Sequence, residues 1–208
     1  VYILTNPSDV RRDFTPRTLA NLNKVPQKVK LNAFSSLAQP LYDFIHSTPL
    51  KSQKEYDAWQ FKYSSSFLVE LNTKLQEYGV SQAAYGKAQK VINMAMKYLF
   101  CLDGADRYLD RFKYCHMAID RYTLRWITKE VFPWYNNGKS RPDRLVATKA
   151  PSWSNLEYGD TSEKYSYYQF QSIIRDYLNS ATNPYRSETG APLTPFEAEF
   201  YIWPEYYG

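Results

Sequence analysis

Three groups of residues carry types and spacings that could do chemistry. In Gly86-Lys87-Ala88-Gln89-Lys90-Val91 and the residues after it, Lys87, Lys90, Asn93 and Lys97 recur at intervals of three and four. On a helix that interval puts them on one stripe, opposite an apolar side. The stripe is either a solvated face or one turned toward phosphate. A lysine partly withdrawn from water there would have a lowered pKa and could act as a nucleophile. The second group is Cys115-His116-Met117-Ala118-Ile119-Asp120-Arg121-Tyr122, where an aspartate follows a small-apolar pair and precedes a helical run. Asp120 suits an N-cap accepting backbone N–H bonds; held there and aimed into a cleft, a carboxylate would also stabilise developing positive charge. The third group is basic: Lys139, Arg141, Arg144 and Lys149 are interleaved with Asn, Gly, Pro and Ser.

The elements that must position these groups read as helices. Residues 1–16 form a leading arm with turn-favouring Asn-Pro, Ser-Asp and Thr-Pro pairs. From Arg17 to Ser47 apolar residues recur near helical spacing around Pro26 and Pro40, predicting short helices or a kinked one. Ser52 and Glu55 make a capping-box pattern, and the helix they open runs through Trp59, Tyr63, Phe67, Leu71 and Leu75 to a stop at Gly79. Ser81 starts the next helix, which carries the lysine stripe to about Leu102 and closes at Asp103-Gly104. A charged connector leads to a helix opening at Asp120 and stopping at Pro133. Residues 134–162 read as one long polar loop, of a length that in a compact domain marks a binding or mobile segment. A Tyr-rich helix spans about Ser162 to Leu178, and Thr194-Pro195 opens a final helix that ends before Pro204. No strand-like alternation is sustained, so the expected fold is all-α, a single compact multi-helix domain over residues 1–208.

A Gly-x-x-x-Lys-Val helix start (Gly86, Lys90, Val91), followed by an apolar helix, a connector and an apolar-Ile-Asp segment (Ile119-Asp120) that opens another helix, resembles the helix-hairpin-helix DNA glycosylase superfamily. The resemblance is closest to the 8-oxoguanine DNA glycosylase-like branch, and it covers roughly residues 79 to 126. It implies DNA as partner and a flipped-out nucleotide; no cofactor is expected. Lys90 would be the amine that attacks the sugar and Asp120 the carboxylate that assists cleavage. Lys87, Lys97, Lys139, Arg141 and Arg144 would contact phosphate, and Asn93, His116, Tyr122 and Trp126 would line the pocket. The Tyr165-Ser-Tyr-Tyr segment resembles the tyrosine-rich helix that follows in that branch. The chain departs from the pattern at Ala88, where the hairpin normally has a second glycine, and the interval from Lys90 to Asp120 is longer than the family's. A second register, with Gly79-Val80-Ser81 as the hairpin, puts Ala83 at the lysine position.

Composition admits a reading of another class, a non-catalytic helical module that binds protein or nucleic acid through a Tyr-rich basic surface. Aromatic residues make up 17% of the 208 residues, 20 of them Tyr, enough to supply both a core and a stacking surface. Lys and Arg exceed Asp and Glu by 26 to 21, a net charge of +5 that favours polyanionic partners. A third reading, an enzyme using Glu197 and Glu199 with His116, ranks below both. With His46 the only other histidine and no Cys-x-x-Cys spacing, no metal site is expected. Two cysteines, Cys101 and Cys115, suggest a reduced, cytoplasmic protein. The chain opens at Val1 without Met, which leaves a trimmed targeting segment open, and no apolar run reaches membrane length.

Overall fold

The computed structural model describes residues 25–26, 32–47, 50–101, 105–160 and 162–207. The leading arm 1–16 and the stop at Asp103-Gly104 lie outside them. The fold is all-α: the described residues hold no β-strand, only an isolated bridge between Arg186 and Pro192. The chain divides into two compact units, Val1–Tyr114 and Cys115–Gly208. No Gly-, Pro- or Ser-rich linker marks the boundary.

In the first unit, α1 (Ala38–His46) is followed by α2 (Gln53–Glu77), α3 (Tyr85–Phe100), a 3-10 turn (Ala105–Tyr108) and the short α4 (Leu109–Phe112). Pro40 sits in the first turn of α1, where its missing N–H has no intrahelical partner to lose. At the other end of α1, the Arg111 guanidinium donates to the Phe44 carbonyl at 3.2 Å and to the Ser47 carbonyl. Ser52 caps α2 by accepting the Glu55 N–H at 3.2 Å, while the Glu55 carboxylate accepts the Lys51 N–H instead of closing the box on Ser52. α2 ends at Gly79, whose φ of 62° lets the Gly79 and Val80 amides turn back to the Gln76 and Leu75 carbonyls.

Ser81 does not start α3. The Asn72 side chain clamps Ala83 through both its N–H (2.7 Å) and its carbonyl (3.1 Å), which holds the connector extended until Ala84. The buried face of α2 is not purely apolar. Tyr56, Gln60, Ser64, Phe67, Leu71 and Leu75 are buried, whereas Trp59 and Tyr63 are only half-buried. The two polar side chains enter the core because their partners await them. Gln60 accepts from Ser64 (3.1 Å) and Tyr85 (2.7 Å) and donates to Asn93 (3.2 Å), which donates to Gln89 (3.0 Å).

In the second unit an extended, wholly buried segment, 115–120, leads into α5 (Arg121–Trp126). A π-helical turn (Ile127–Val131) joins α5 to α6 (Phe132–Asn136). Pro133 was expected to end this helix, and it does not. A proline ring clashes with the carbonyl four residues back and cannot donate to it. The π turn, in which the Phe132 N–H reaches the Ile127 carbonyl five residues back, widens the helix just ahead of the ring and lets it continue for another turn. The long loop therefore begins at Asn137, and it contains three 3-10 turns: Arg141–Asp143, Ala147–Lys149 and Trp153–Asn155.

α7 (Tyr167–Asn179) starts at Ser166 rather than Ser162. The Asp160 carboxylate accepts the Ser162 and Glu163 amides, and Tyr165 has a φ of 65°, so the helix does not run back through them. α8 (Pro195–Tyr206) opens with a capping box between Thr194 and Glu197 and packs on α5 and α7. It passes through Pro204, an interruption confined to its last turn. That turn is held from outside: the Tyr185 hydroxyl donates to Glu205 and the Tyr206 hydroxyl to Glu130, each at 3.0 Å. Burial, together with the bond to Glu130, pushes the Tyr206 hydroxyl up to about 12.

Candidate functional site

The lysine stripe of α3 is real in part. Lys87, Lys90 and Lys97 are half-buried along that helix. Asn93 is not on their face: it is 1% exposed and belongs to the buried amide network with Gln60 and Gln89. Burial pushes the Lys87 amine below its ordinary value. Gly86 lies in the first turn of α3, not in a loop. The turn between α2 and α3 that contains a left-handed glycine is Gly79, the second of the two registers.

The 115–120 segment is a buried strip of backbone whose polar groups are met by side chains from far along the chain. The Glu199 carboxylate accepts the Ala118 N–H at 2.8 Å, and the Gln171 amide donates to the Met117 carbonyl at 2.8 Å. The Thr123 hydroxyl donates to the Ala118 carbonyl at 2.8 Å and accepts the Asp120 N–H at 2.8 Å. His116 Nδ1 meets the Tyr167 hydroxyl at 2.9 Å, both residues buried. The sequence did not single out Gln171, and it set Glu199 beside His116 as a third reading rather than on the Ala118 backbone, where the structure places it.

Asp120 caps α5. Its Oδ1 accepts the Tyr122 and Thr123 amides at 2.8 and 3.1 Å, and its Oδ2 accepts the Trp203 indole N–H at 3.2 Å. The residue is 5% exposed. Tyr122 stands beside it, with ring centroids 5.5 Å from Trp203 and 5.0 Å from Tyr207. Trp126 is fully buried against Tyr177 and Tyr185, and its indole N–H has no hydrogen-bond partner among the described residues. Glu197 serves the cap of its own helix, and Glu199 holds Ala118, so these two carboxylates have structural partners. Lys90 belongs to the first unit and Asp120 to the second.

The basic segment behaves as a built surface. Leu145, 2% exposed, anchors it, and the Asn136 side chain at the end of α6 grips Leu145 through both its N–H (2.7 Å) and carbonyl (2.8 Å). The Arg144 Nε donates to the Lys139 carbonyl at 3.0 Å, and the Lys139 amine lies 3.8 Å from the centroid of the Tyr135 ring. The Lys164 amine donates to the Pro142 carbonyl, and the Tyr165 hydroxyl accepts the Val146 N–H at 2.9 Å. Arg141, Arg144 and Lys149 are exposed and Lys139 is half-buried. Among the described residues none of these four cations forms an ion pair. The one carboxylate within the segment, Asp143, accepts the Ser140 hydroxyl. Tyr165 is held in the left-handed region, which costs a non-glycine residue about 1–2 kcal/mol. Its ring packs on Phe132 with centroids 6.3 Å apart, and its N–H donates to Gln169 Oε1 at 2.8 Å.

Among the described residues no group of His, Cys, Asp and Glu is arranged to hold a metal ion, and no helix is long and apolar enough to cross a membrane. No protein-family model, curated protein or solved structure matches the chain.

Proposed function

We propose that this protein binds the phosphate backbone of nucleic acid through the basic segment 139–149 of its second unit. The observation that carries the reading is the set Lys139, Arg141, Arg144 and Lys149 on an anchored segment, without ion-pair partners there, beside the half-exposed ring of Tyr135. Cations on a pre-shaped surface lose little entropy on meeting phosphate, and an adjacent aromatic ring adds a base-stacking partner that an acidic protein surface would not use.

The test is fluorescence anisotropy of a labelled oligonucleotide over a salt series. Each phosphate contact contributes about 0.7–0.9 to the slope of log affinity against log salt, so four contacts predict a slope of roughly −3. Replacing Arg141, Arg144 and Lys149 by Ala should lower affinity and flatten that slope. Replacing three exposed lysines of the first unit, Lys51, Lys54 and Lys62, should change neither appreciably. Absence of binding at low salt, or equal losses in the two triple variants, sinks the reading.

A second reading adds base-excision chemistry to the same binding, with an amine of α3 attacking the sugar and Asp120 assisting. The observation favouring it is the position of Asp120 at the first turn of α5, after a buried apolar segment. Borohydride trapping on DNA with an abasic site discriminates. The excision reading expects a covalent adduct that is lost in Lys90→Ala and reduced in Asp120→Asn, whereas the binding module yields none.

A further inference from the structure

The four cations sit on a segment with little regular structure, yet the segment is tied at specific points, and the ties converge on the residues just before α7. Val146, immediately after the anchor Leu145, gives its N–H to the Tyr165 hydroxyl, and Pro142, between Arg141 and Arg144, gives its carbonyl to Lys164. Tyr165 reaches Val146 only from an unusual backbone. Its φ of 65° is a conformation that bulky side chains seldom adopt, and it persists where the surroundings over-determine it. Here they do so three times: the ring rests on Phe132, the N–H is taken by Gln169, and the hydroxyl is taken up by Val146. None of these contacts is needed to start α7, because Ser166 caps that helix by itself, accepting the Gln169 N–H at 3.1 Å. Backbone strain kept at a residue whose side chain crosses to the basic segment is better explained by the segment than by the helix.

We propose that Tyr165 is a positioning residue for the nucleic-acid surface, a strap that fixes the basic segment in its binding shape without itself touching phosphate. This rests on the polyanion-binding reading above. The strap acts by lowering the entropy the segment would otherwise lose on binding, so its removal should weaken affinity without changing how many phosphates are met.

Tyr165→Phe keeps the ring on Phe132 and deletes only the acceptor for Val146. Three measurements are made on the full chain: hydrogen exchange at the Val146 amide, affinity for a single-stranded thymidine oligonucleotide, and the salt slope of that affinity. The variant should exchange the Val146 amide faster, bind about fivefold more weakly, as the loss of one ordinary hydrogen bond implies, and keep the wild-type slope. Tyr165→Asn, which accepts the left-handed backbone more readily but has neither ring nor hydroxyl, should bind more weakly still with the slope again unchanged. Wild-type affinity in Tyr165→Phe, or continued protection of Val146, overturns the strap. A slope that flattens as it does when the cations are removed also overturns it, by making Tyr165 a phosphate contact. If the wild-type chain binds no oligonucleotide at low salt, the polyanion reading falls first and the strap with it, an outcome distinct from wild type binding and the variant binding equally well.

Discussion

Asp120 concentrates several demands in one carboxylate. It closes the first turn of α5 through Oδ1 and holds the Trp203 indole of α8 through Oδ2, so it ties a helix start to a helix end 83 residues later in the chain. An N-cap alone is worth about 1 kcal/mol, and a half-buried indole N–H left without its acceptor costs a similar amount or more. Asp120→Ala should therefore destabilise the protein by roughly 2–3 kcal/mol in urea unfolding. Asp120→Asn, which can still accept from the backbone, should lose well under half of that. Equal stability of the Ala variant and wild type would remove the cap from the account. Cap chemistry is local, and that is why Ser52, Asp120 and Thr194 were legible as helix starts from their own residues. The partners of Oδ2 and of the Ala118 amide were not legible. Trp203 and Glu199 are ordinary members of a short helix in sequence, and only the folded chain brings them to the 115–120 strip.

At the scale of elements, the start of α7 depends on close approach as much as on capping. Gly159 has a φ of 57°, and a Cβ built on it would lie 2.3 Å from the Ser166 Cβ and 2.9 Å from its hydroxyl. That hydroxyl is the cap itself, donating to the Asp160 carbonyl at 2.8 Å while accepting from Gln169. Gly159→Ala should cost roughly 2–4 kcal/mol, combining backbone strain with displacement of the cap. Gly138→Ala, at a φ of 74° with open space around the new methyl, should cost only about 1 kcal/mol. Thermal melts of the two variants check the difference, and similar shifts would show that the clash relaxes freely. Element boundaries were the least legible part of the sequence for the same reason. Asn72 reaching across to Ala83 delays α3, and the Asp160 turn delays α7; both are side-chain interventions from outside the helix concerned. Apolar periodicity cannot anticipate that Gln60 will find Tyr85 and Asn93 inside the core, with Ser64 donating to Gln60 beside them.

Across the whole molecule, the helical class followed from hydrophobic spacing and the absence of alternation, which do not depend on which residues eventually touch. The two-unit division was not legible, since Tyr114-Cys115 has none of the composition by which a linker is recognised. The basic character of the 139–149 segment was visible in the sequence; that it is anchored through Leu145 and tied to Lys164 and Tyr165 was not.

The π turn before Pro133 carries a consequence for how this chain can vary. Such a turn holds one residue more than a regular one, so deleting a single residue between Ile127 and Val131 would restore regular winding and bring the Pro133 ring against the carbonyl four residues back. The helix would kink there, just ahead of the Asn136 that grips Leu145, and the basic segment would lose its mooring although every one of its cations was still encoded. Relatives with a one-residue gap at this point would have to secure the segment by another route.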